Sequence, residues 1–121
     1  MTPGSVEEVD ALVIGGGPAG LAAATQLAPA GVRPILVDRE AELGGIPRHT
    51  DHLGYGMREF HRVLRGPAYA EALAGRAERA GVDLRPATTV TGWAGGDGDG
   101  DAAGRAVTTT SPGGTATIRA R

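Results

Sequence analysis

The chain has 121 residues, a formal net charge of −2, 21 glycines and no cysteine. This length is typical of one ordinary domain, and the mild acidity argues against a nucleic-acid-binding face. The lack of cysteine excludes disulfides, thiolate metal sites and a redox-active cysteine pair within this chain.

The N-terminal segment, residues 1–8, is predicted to be a short disordered lead. It is acidic at Glu7 and Glu8, whereas a signal peptide begins with basic residues. No apolar run approaches the roughly 18 residues that a membrane-spanning helix needs. We therefore expect a cytoplasmic protein with neither a membrane nor a nucleic-acid partner.

An apolar strand over residues 9–14 leads directly into a glycine-rich turn and an alanine-rich helix. The turn fits the Gly-x-Gly-x-x-Gly pattern of a dinucleotide site, in which the glycines allow a tight turn, close approach of a pyrophosphate, and helix–strand packing. Free N–H groups at the helix start then face the anion. The expected cofactor contacts are Gly15, Gly17, Pro18, Ala19 and Gly20. Because glycine is abundant, a purely structural turn is the alternative.

The second strand, over residues 33–38, completes a βαβ unit that spans residues 9–38. Asp38 ends this strand 18 residues after Gly20, where a carboxylate can bind ribose hydroxyls; the alternative is an exposed residue at a strand end. The role of Arg39 is open, because it could contact a 2′-phosphate, an adenine ring or only solvent.

Residues 39–66 are predicted to form a cofactor-proximal loop with one helical turn near residues 57–63. A helix and a third parallel strand follow within residues 67–87. Three segments rich in Thr and Val then predict a small antiparallel meander within residues 88–121: residues 88–93, 105–111 and 115–119. A low-complexity connection spans residues 95–104.

The predicted fold class is α/β. It consists of a Rossmann-like βαβ unit, a third parallel strand and the meander. No further parallel strand follows the meander, so this partial domain over residues 1–121 is expected to be truncated.

Two possible metal sites are weak. The first consists of His49, His52 and His61, which lack acidic or thiolate partners at a convincing spacing. The second imitates the start of an EF-hand at Asp97, Asp99 and Asp101, but Ala102 and Thr108 replace the glycine and glutamate that such a loop needs. No metal is expected.

Three motifs together resemble the FAD-binding start of two-dinucleotide flavoproteins of the glutathione-reductase type, which are pyridine nucleotide-disulfide oxidoreductase-like proteins. These motifs are Gly15-Gly16-Gly17-Pro18-Ala19-Gly20, Leu36-Val37-Asp38-Arg39-Glu40 and Leu43-Gly44-Gly45. Three further segments resemble, more narrowly, the FAD- and NAD-domain subunit of the amino-acid dehydrogenase, octopine oxidase and hydrogen cyanide synthase group. They are Gly44-Gly45-Ile46-Pro47-Arg48-His49, Gly56-Met57-Arg58-Glu59-Phe60 and Gly66-Pro67-Ala68-Tyr69-Ala70.

The resemblance implies a cofactor and roles for particular residues. It implies that the first glycine motif surrounds the FAD pyrophosphate, that Asp38 and Arg39 lie at the adenosine end, that Gly44 and Gly45 line the cofactor, and that Val90 offers backbone to the adenine. Disulfide reductases of this superfamily carry a cysteine pair after the double glycine, where this chain has Ile46-Pro47-Arg48-His49-Thr50, so thiol–disulfide chemistry is not expected at this site. Thr50 also stands where the narrower group has a cysteine, so the local chemistry of that group is not implied here.

The resemblance also implies a function. The chain is expected to be the FAD-binding portion of a pyridine-nucleotide-linked flavoprotein oxidoreductase that acts on amines or amino acids when complete. NAD(P) and other subunits would belong only to that complete form. The alternative is a non-catalytic nucleotide-binding module or an inactive truncated fragment.

Overall fold

A computed structural model describes residues 6–94 and 105–121. Nine strands lie in these residues: β1 (Val6–Val9), β2 (Ala11–Ile14), β3 (Pro34–Val37), β4 (Leu53–Tyr55), β5 (Leu64–Arg65), β6 (Asp83–Arg85), β7 (Thr89–Trp93), β8 (Arg105–Ser111) and β9 (Gly114–Ala120). The α-helices are α1 (Pro18–Leu27), α2 (Met57–Phe60) and α3 (Gly66–Ala80). Short 3-10 helices occupy Ala28–Ala30 and Ile46–His49. The predicted connection over residues 95–104 lies outside the described residues.

The central sheet is parallel, with the strand order β2-β3-β6. It confirms the predicted Rossmann-like unit with a third parallel strand. All four residues of β3 are buried, as expected for a parallel strand covered on both faces. The carboxyl ends of these strands therefore meet at one edge of the sheet.

Alternate residues of β3 pack into two separate cores. Leu36 faces the helices and packs with Leu21 of α1 and Leu73 of α3. Ile35 and Val37 face the opposite way, into a core that the antiparallel strands close. The period-two alternation of a strand thus builds a layered molecule from one short apolar run.

The predicted meander is confirmed as β7, β8 and β9, which pair antiparallel in that order. The prediction of a disordered lead is wrong for residues 6–8, because β1 pairs in parallel with β9 and extends this sheet to four strands. No local pattern in residues 6–9 predicts this pairing, because the partner strand lies more than a hundred residues away. Residues 1–5 of the predicted lead lie outside the described residues.

The single strand predicted over residues 9–14 is divided at Asp10. One carboxylate oxygen of Asp10 accepts hydrogen bonds from the backbone N–H of Arg33 (3.0 Å) and from its Nε–H (3.2 Å). These bonds lower the pKa of Asp10 below its ordinary value. The chain passes here from the four-stranded sheet to the parallel sheet. The apolar run therefore contributes Val9 to the first sheet and residues 11–14 to the second.

Residues 53–65 form a small excursion that packs on α3. Strands β4 and β5 pair antiparallel, and α2 lies between them. The ring of Tyr69 stacks on Tyr55 with 5.3 Å between centroids, and its hydroxyl donates a hydrogen bond to Glu59 (3.0 Å). Burial, followed by the hydrogen bond to Glu59, raises the pKa of Tyr69. This segment, predicted as a loop with one helical turn, is thus held by aromatic contacts.

The ion pair between Glu7 and Arg85 makes stability depend on pH. Both carboxylate oxygens accept guanidinium hydrogen bonds at 2.7 Å, and these bonds hold the pKa of Glu7 below its ordinary value of 4.5. A lowered folded-state pKa adds stability above pH 4.5, and this stability is lost as the pH falls through the folded-state value. We expect Glu7→Gln to lower the free energy of unfolding by about 1 kcal/mol at pH 7.

The measurement is urea unfolding of wild type and Glu7→Gln from pH 7 downward, and the difference should shrink as the pH falls below 4.5 and Glu7 is protonated. Glu8→Gln is the matched control. Glu8 is exposed and reaches Arg119 only at 3.6 Å, so its loss should change stability by a few tenths of a kcal/mol at most. A Glu7→Gln deficit that stays constant as the pH falls from 7 to well below 4.5 would contradict the assignment to the ionised pair.

Candidate nucleotide-binding site

The glycine turn lies between β2 and α1. Gly15 has φ +107°, a conformation that favours glycine, and its N–H donates to the carbonyl of Val37 (2.8 Å). Gly17 is the N-cap of α1 and accepts a hydrogen bond from the N–H of Leu21 (2.9 Å). No side chain among the described residues caps this helix, and its first turn carries no acidic residue. The start of α1 therefore offers partial positive charge to an anion.

Two of these glycines are needed for different spatial reasons. A Cβ built on Gly20 would collide with the carbonyl oxygen of Gly15, so only glycine lets the helix lie this close to the turn. A Cβ on Gly17 would have Cα of Gly45 as its nearest neighbour, at 4.0 Å. This is an ordinary van der Waals distance, so protein packing does not require glycine here, and the lack of a side chain leaves the backbone accessible to a ligand.

Asp38 is bonded to the glycine turn through its side chain. One carboxylate oxygen accepts the N–H of Gly16 (2.6 Å) and the other accepts the N–H of Glu40 (2.7 Å). These bonds fix the direction of the carboxylate at the carboxyl end of β3. Each oxygen has a second lone pair, so both can still accept a hydrogen bond from a ligand hydroxyl.

An open cleft of about 320 Å³ lies at this edge of the parallel sheet. It is lined by Ile14, Gly15, Val37, Asp38, Arg39, Thr88, Thr89 and Val90. The structure thus brings together four of the ten predicted contact residues from three separate segments. Thr88 and Thr89 were not predicted to line it; Thr88 donates its N–H to the carbonyl of Asp38 (2.8 Å), which holds the start of β7 against β3.

Arg39 lies at the rim of the cleft and points largely into solvent. Its side chain is 79% exposed, and its Nε lies 3.7 Å from the carboxylate of Glu40. An exposed pair of this kind contributes little to stability. Arg39 is therefore able to reorient toward a ligand.

Gly44 and Gly45 pack on the glycine turn, not in the cleft. The N–H of Gly44 donates to the carbonyl of Gly16 (2.8 Å), and a Cβ on Gly45 would lie 2.9 Å from Cα of Gly17. Both have positive φ, +125° and +67°. On its other side Gly44 lies against Ala70 of α3. The second glycine pair therefore forms a wall beside the N-terminus of α1.

The three histidines, His49, His52 and His61, are spread over the 3-10 helix at Ile46–His49, the residues after it and the excursion. In residues 6–94 and 105–121 no group of three or more His, Asp or Glu side chains is arranged to hold a metal ion. His52 stacks on Tyr55 with 5.7 Å between ring centroids. The acidic repeat Asp97, Asp99 and Asp101 lies outside the described residues. No helix in the described part of the chain is both long and apolar enough to cross a membrane.

Comparison with known proteins identifies related sequences. Residues 8–51 match the family model described as FAD binding domain. The chain is 41% identical over 63 residues to hydrogen cyanide synthase subunit HcnB of Pseudomonas protegens, a match covering 52% of this chain and 13% of that protein. It is 43% identical over 64 residues to digeranylgeranylglycerophospholipid reductase 1 of Methanothermobacter thermautotrophicus, covering 53% of this chain and 16% of that protein. The chain thus spans a small part of the length of these relatives.

Solved structures share the fold. L-proline dehydrogenase from P. horikoshii superposes with a TM-score of 0.74 at 24% identity, over 96% of this chain and 22% of that chain. At this identity the likeness concerns the fold alone. Residues 8–51 thus match the FAD binding domain model, and the chain has a Rossmann-like fold that is also seen in a solved dehydrogenase.

Proposed function

We propose that this chain binds the ADP half of FAD across the turn at Gly15 and Gly17, the Asp38 carboxylate and the start of β7. The observation that carries the proposal is the cleft at the carboxyl edge of the parallel sheet, which joins Gly15, Asp38 and Val90 beside the N-terminus of α1. In open α/β sheets this edge is where nucleotides bind.

The diphosphate fits the start of α1. The lack of a side chain at Gly17 and the wall formed by Gly44 and Gly45 leave backbone, not side chains, beside the helix terminus. An uncapped N-terminus with no acidic side chain in its first turn suits a doubly charged group. Pro18 and Ala19 open the helix, so we assign them to the same contact.

The adenosine fits the cleft. The Asp38 carboxylate, already oriented by two backbone amides, would accept the ribose hydroxyls. Val90 lies in β7, an edge strand of its sheet within the described residues, so its outer backbone edge is able to hydrogen-bond an adenine. We assign Arg39 to the rim of this subsite, where its guanidinium can lie over the base.

For the complete protein we propose a pyridine-nucleotide-linked oxidoreductase that acts on amines or amino acids. When bound, the flavin supplies the electron-transfer chemistry, and this chain supplies position and electrostatics. The support is the resemblance of the segments after Gly44, Gly56 and Gly66 to the amino-acid dehydrogenase group, together with the match to the cyanide synthase subunit. NAD(P) and further subunits belong to this proposal for the complete protein.

The test is titration of the purified 121-residue chain with FAD, followed by flavin fluorescence, with AMP, ADP and NAD as competitors. Saturable binding that ADP partly displaces is the expected result. Circular dichroism establishes whether the chain is folded. If a folded chain binds neither FAD nor ADP, the proposal is overturned and the glycine turn has a purely structural role.

Asp38→Asn separates the ribose contact from the rest of the site. An amide keeps the size of the carboxylate but turns one acceptor into a donor that faces the N–H of Gly16 or of Glu40. We expect FAD affinity to fall about tenfold, which corresponds to about 1.4 kcal/mol. Asp51→Asn, at an exposed residue just before the excursion, is the control and should bind like wild type. Equal affinities for Asp38→Asn and wild type would argue against the ribose role.

A further inference from the structure

The side chain of Arg48 folds back over the loop that carries Gly44 and Gly45. Its Nε lies 3.2 Å from the carboxylate of Glu42, and Nη1 donates to the Glu42 carbonyl at 3.0 Å. A Cβ built on Gly44 would lie 3.5 Å from Cγ of Arg48, so the aliphatic part of the side chain lies over that glycine. The Arg48 side chain is only 22% exposed, whereas its partner Glu42 is 76% exposed.

Backbone hydrogen bonds also hold the loop that carries Gly44 and Gly45. The N–H of Arg48 donates to the carbonyl of Gly45 at 3.1 Å, and the N–H of Gly44 donates to Gly16 at 2.8 Å. Gly44 and Gly45 have no side chains with which to fix themselves, and both have positive φ. A glycine pair pays a large entropic cost for one conformation, so an outside contact must hold it.

We infer that Arg48 is a positioning residue that holds Gly44 and Gly45 against the start of α1 and so shapes the diphosphate end of the site. This inference rests on the proposed FAD site. Arg48 would act through the loop, without itself touching the cofactor. Gly45 lies beside Gly17 and not in the adenosine cleft. Arg48 should therefore contribute much more to the affinity for FAD than to the affinity for AMP.

The first experiment measures FAD and AMP affinity for Arg48→Ala. We expect FAD affinity to fall roughly tenfold and AMP affinity to stay within twofold, because a lost charged hydrogen bond to the loop has about that effect. Arg48→Lys should recover part of the loss, since it keeps the charge but not the two-pronged contact. Arg65→Ala is the matched control, because Arg65 binds Asp51 through carboxylate and carbonyl in the same way but lies away from the glycines.

Glu42→Ala removes the partner from an exposed position, so this variant remains folded even if Arg48→Ala does not. Glu42→Ala should also lower the affinity for FAD, by a smaller factor than Arg48→Ala, and leave the affinity for AMP unchanged. Equal losses for FAD and AMP, or wild-type FAD binding in both Arg48→Lys and Glu42→Ala, would overturn the inference.

Amide hydrogen exchange of the ligand-free protein tests the inference apart from the proposed function. In Arg48→Ala, or in Glu42→Ala if the first does not fold, we expect the Gly44 amide to exchange several-fold faster. The Gly15 amide, bonded to Val37 at the same 2.8 Å, should be unchanged. Unchanged exchange at Gly44 would overturn the positioning role. Failure of wild type to bind FAD would instead refute the proposed function.

Discussion

Gly17→Ala is expected to lower FAD affinity about 100-fold without lowering the melting temperature. The added methyl would have no protein atom nearer than Cα of Gly45, at 4.0 Å, and the φ of Gly17 is −78°, which alanine adopts freely. The methyl would instead fill the space that the diphosphate needs beside the backbone. A 100-fold loss corresponds to about 2.8 kcal/mol, which is within the range that steric overpacking by one methyl group costs.

Fluorescence titration and thermal unfolding, run on the same samples, test this expectation. Gly92→Ala is the control, because Gly92 in β7 also has open space around it but lies away from the helix terminus. It should leave both FAD affinity and melting temperature unchanged. If Gly17→Ala bound FAD like wild type, the diphosphate would have to lie elsewhere, and the assignment of the glycine turn would be wrong.

The elements that local sequence predicted best are those whose causes are local. The apolar run, the glycine turn and the helix that follows are neighbours in sequence, and each needs only its own residues to form. For the same reason the Thr- and Val-rich segments that become β8 and β9 predict strands from their own composition, whichever strands they pair with. The parallel pairing of β1 with β9 depends on a strand that is distant in sequence. An acidic segment such as Val6–Val9 carries no local signal for that pairing.

The site shows the same division between local pattern and long-range packing. Strand-end position was enough to single out Asp38, but its bonds to Gly16 and Glu40 depend on how the turn and the strand meet. Thr88 lines the cleft because its N–H donates a hydrogen bond to the carbonyl of Asp38, and no spacing rule predicts this hydrogen bond. Gly44 and Gly45 were selected only by family resemblance. Their packing against Ala70 and Gly17 supplies a physical reason for glycine at both positions.

Gly20→Ala is expected to destabilise the fold itself, by about 3 kcal/mol or more, and to abolish FAD binding with it. A methyl at this position would collide with the carbonyl oxygen of Gly15 and lie 3.0 Å from its carbonyl carbon. Backbone cannot rotate away as a side chain can, so α1 would have to move off β2. That movement would pull Gly15 from its 2.8 Å bond to Val37 and open the turn.

Gly75→Ala is the matched control for Gly20→Ala, because both glycines lie within α-helices. The methyl at Gly75 would meet only the end of the Arg79 side chain, at 3.2 Å, which can swing aside. This variant should therefore gain about 0.5–1 kcal/mol from the better helix propensity of alanine. Thermal unfolding should show a melting temperature lower by about 10 °C or more for Gly20→Ala and slightly higher for Gly75→Ala. A Gly20→Ala variant as stable as wild type would mean that α1 does not lie against the turn, and the shape of the proposed diphosphate site would be wrong with it.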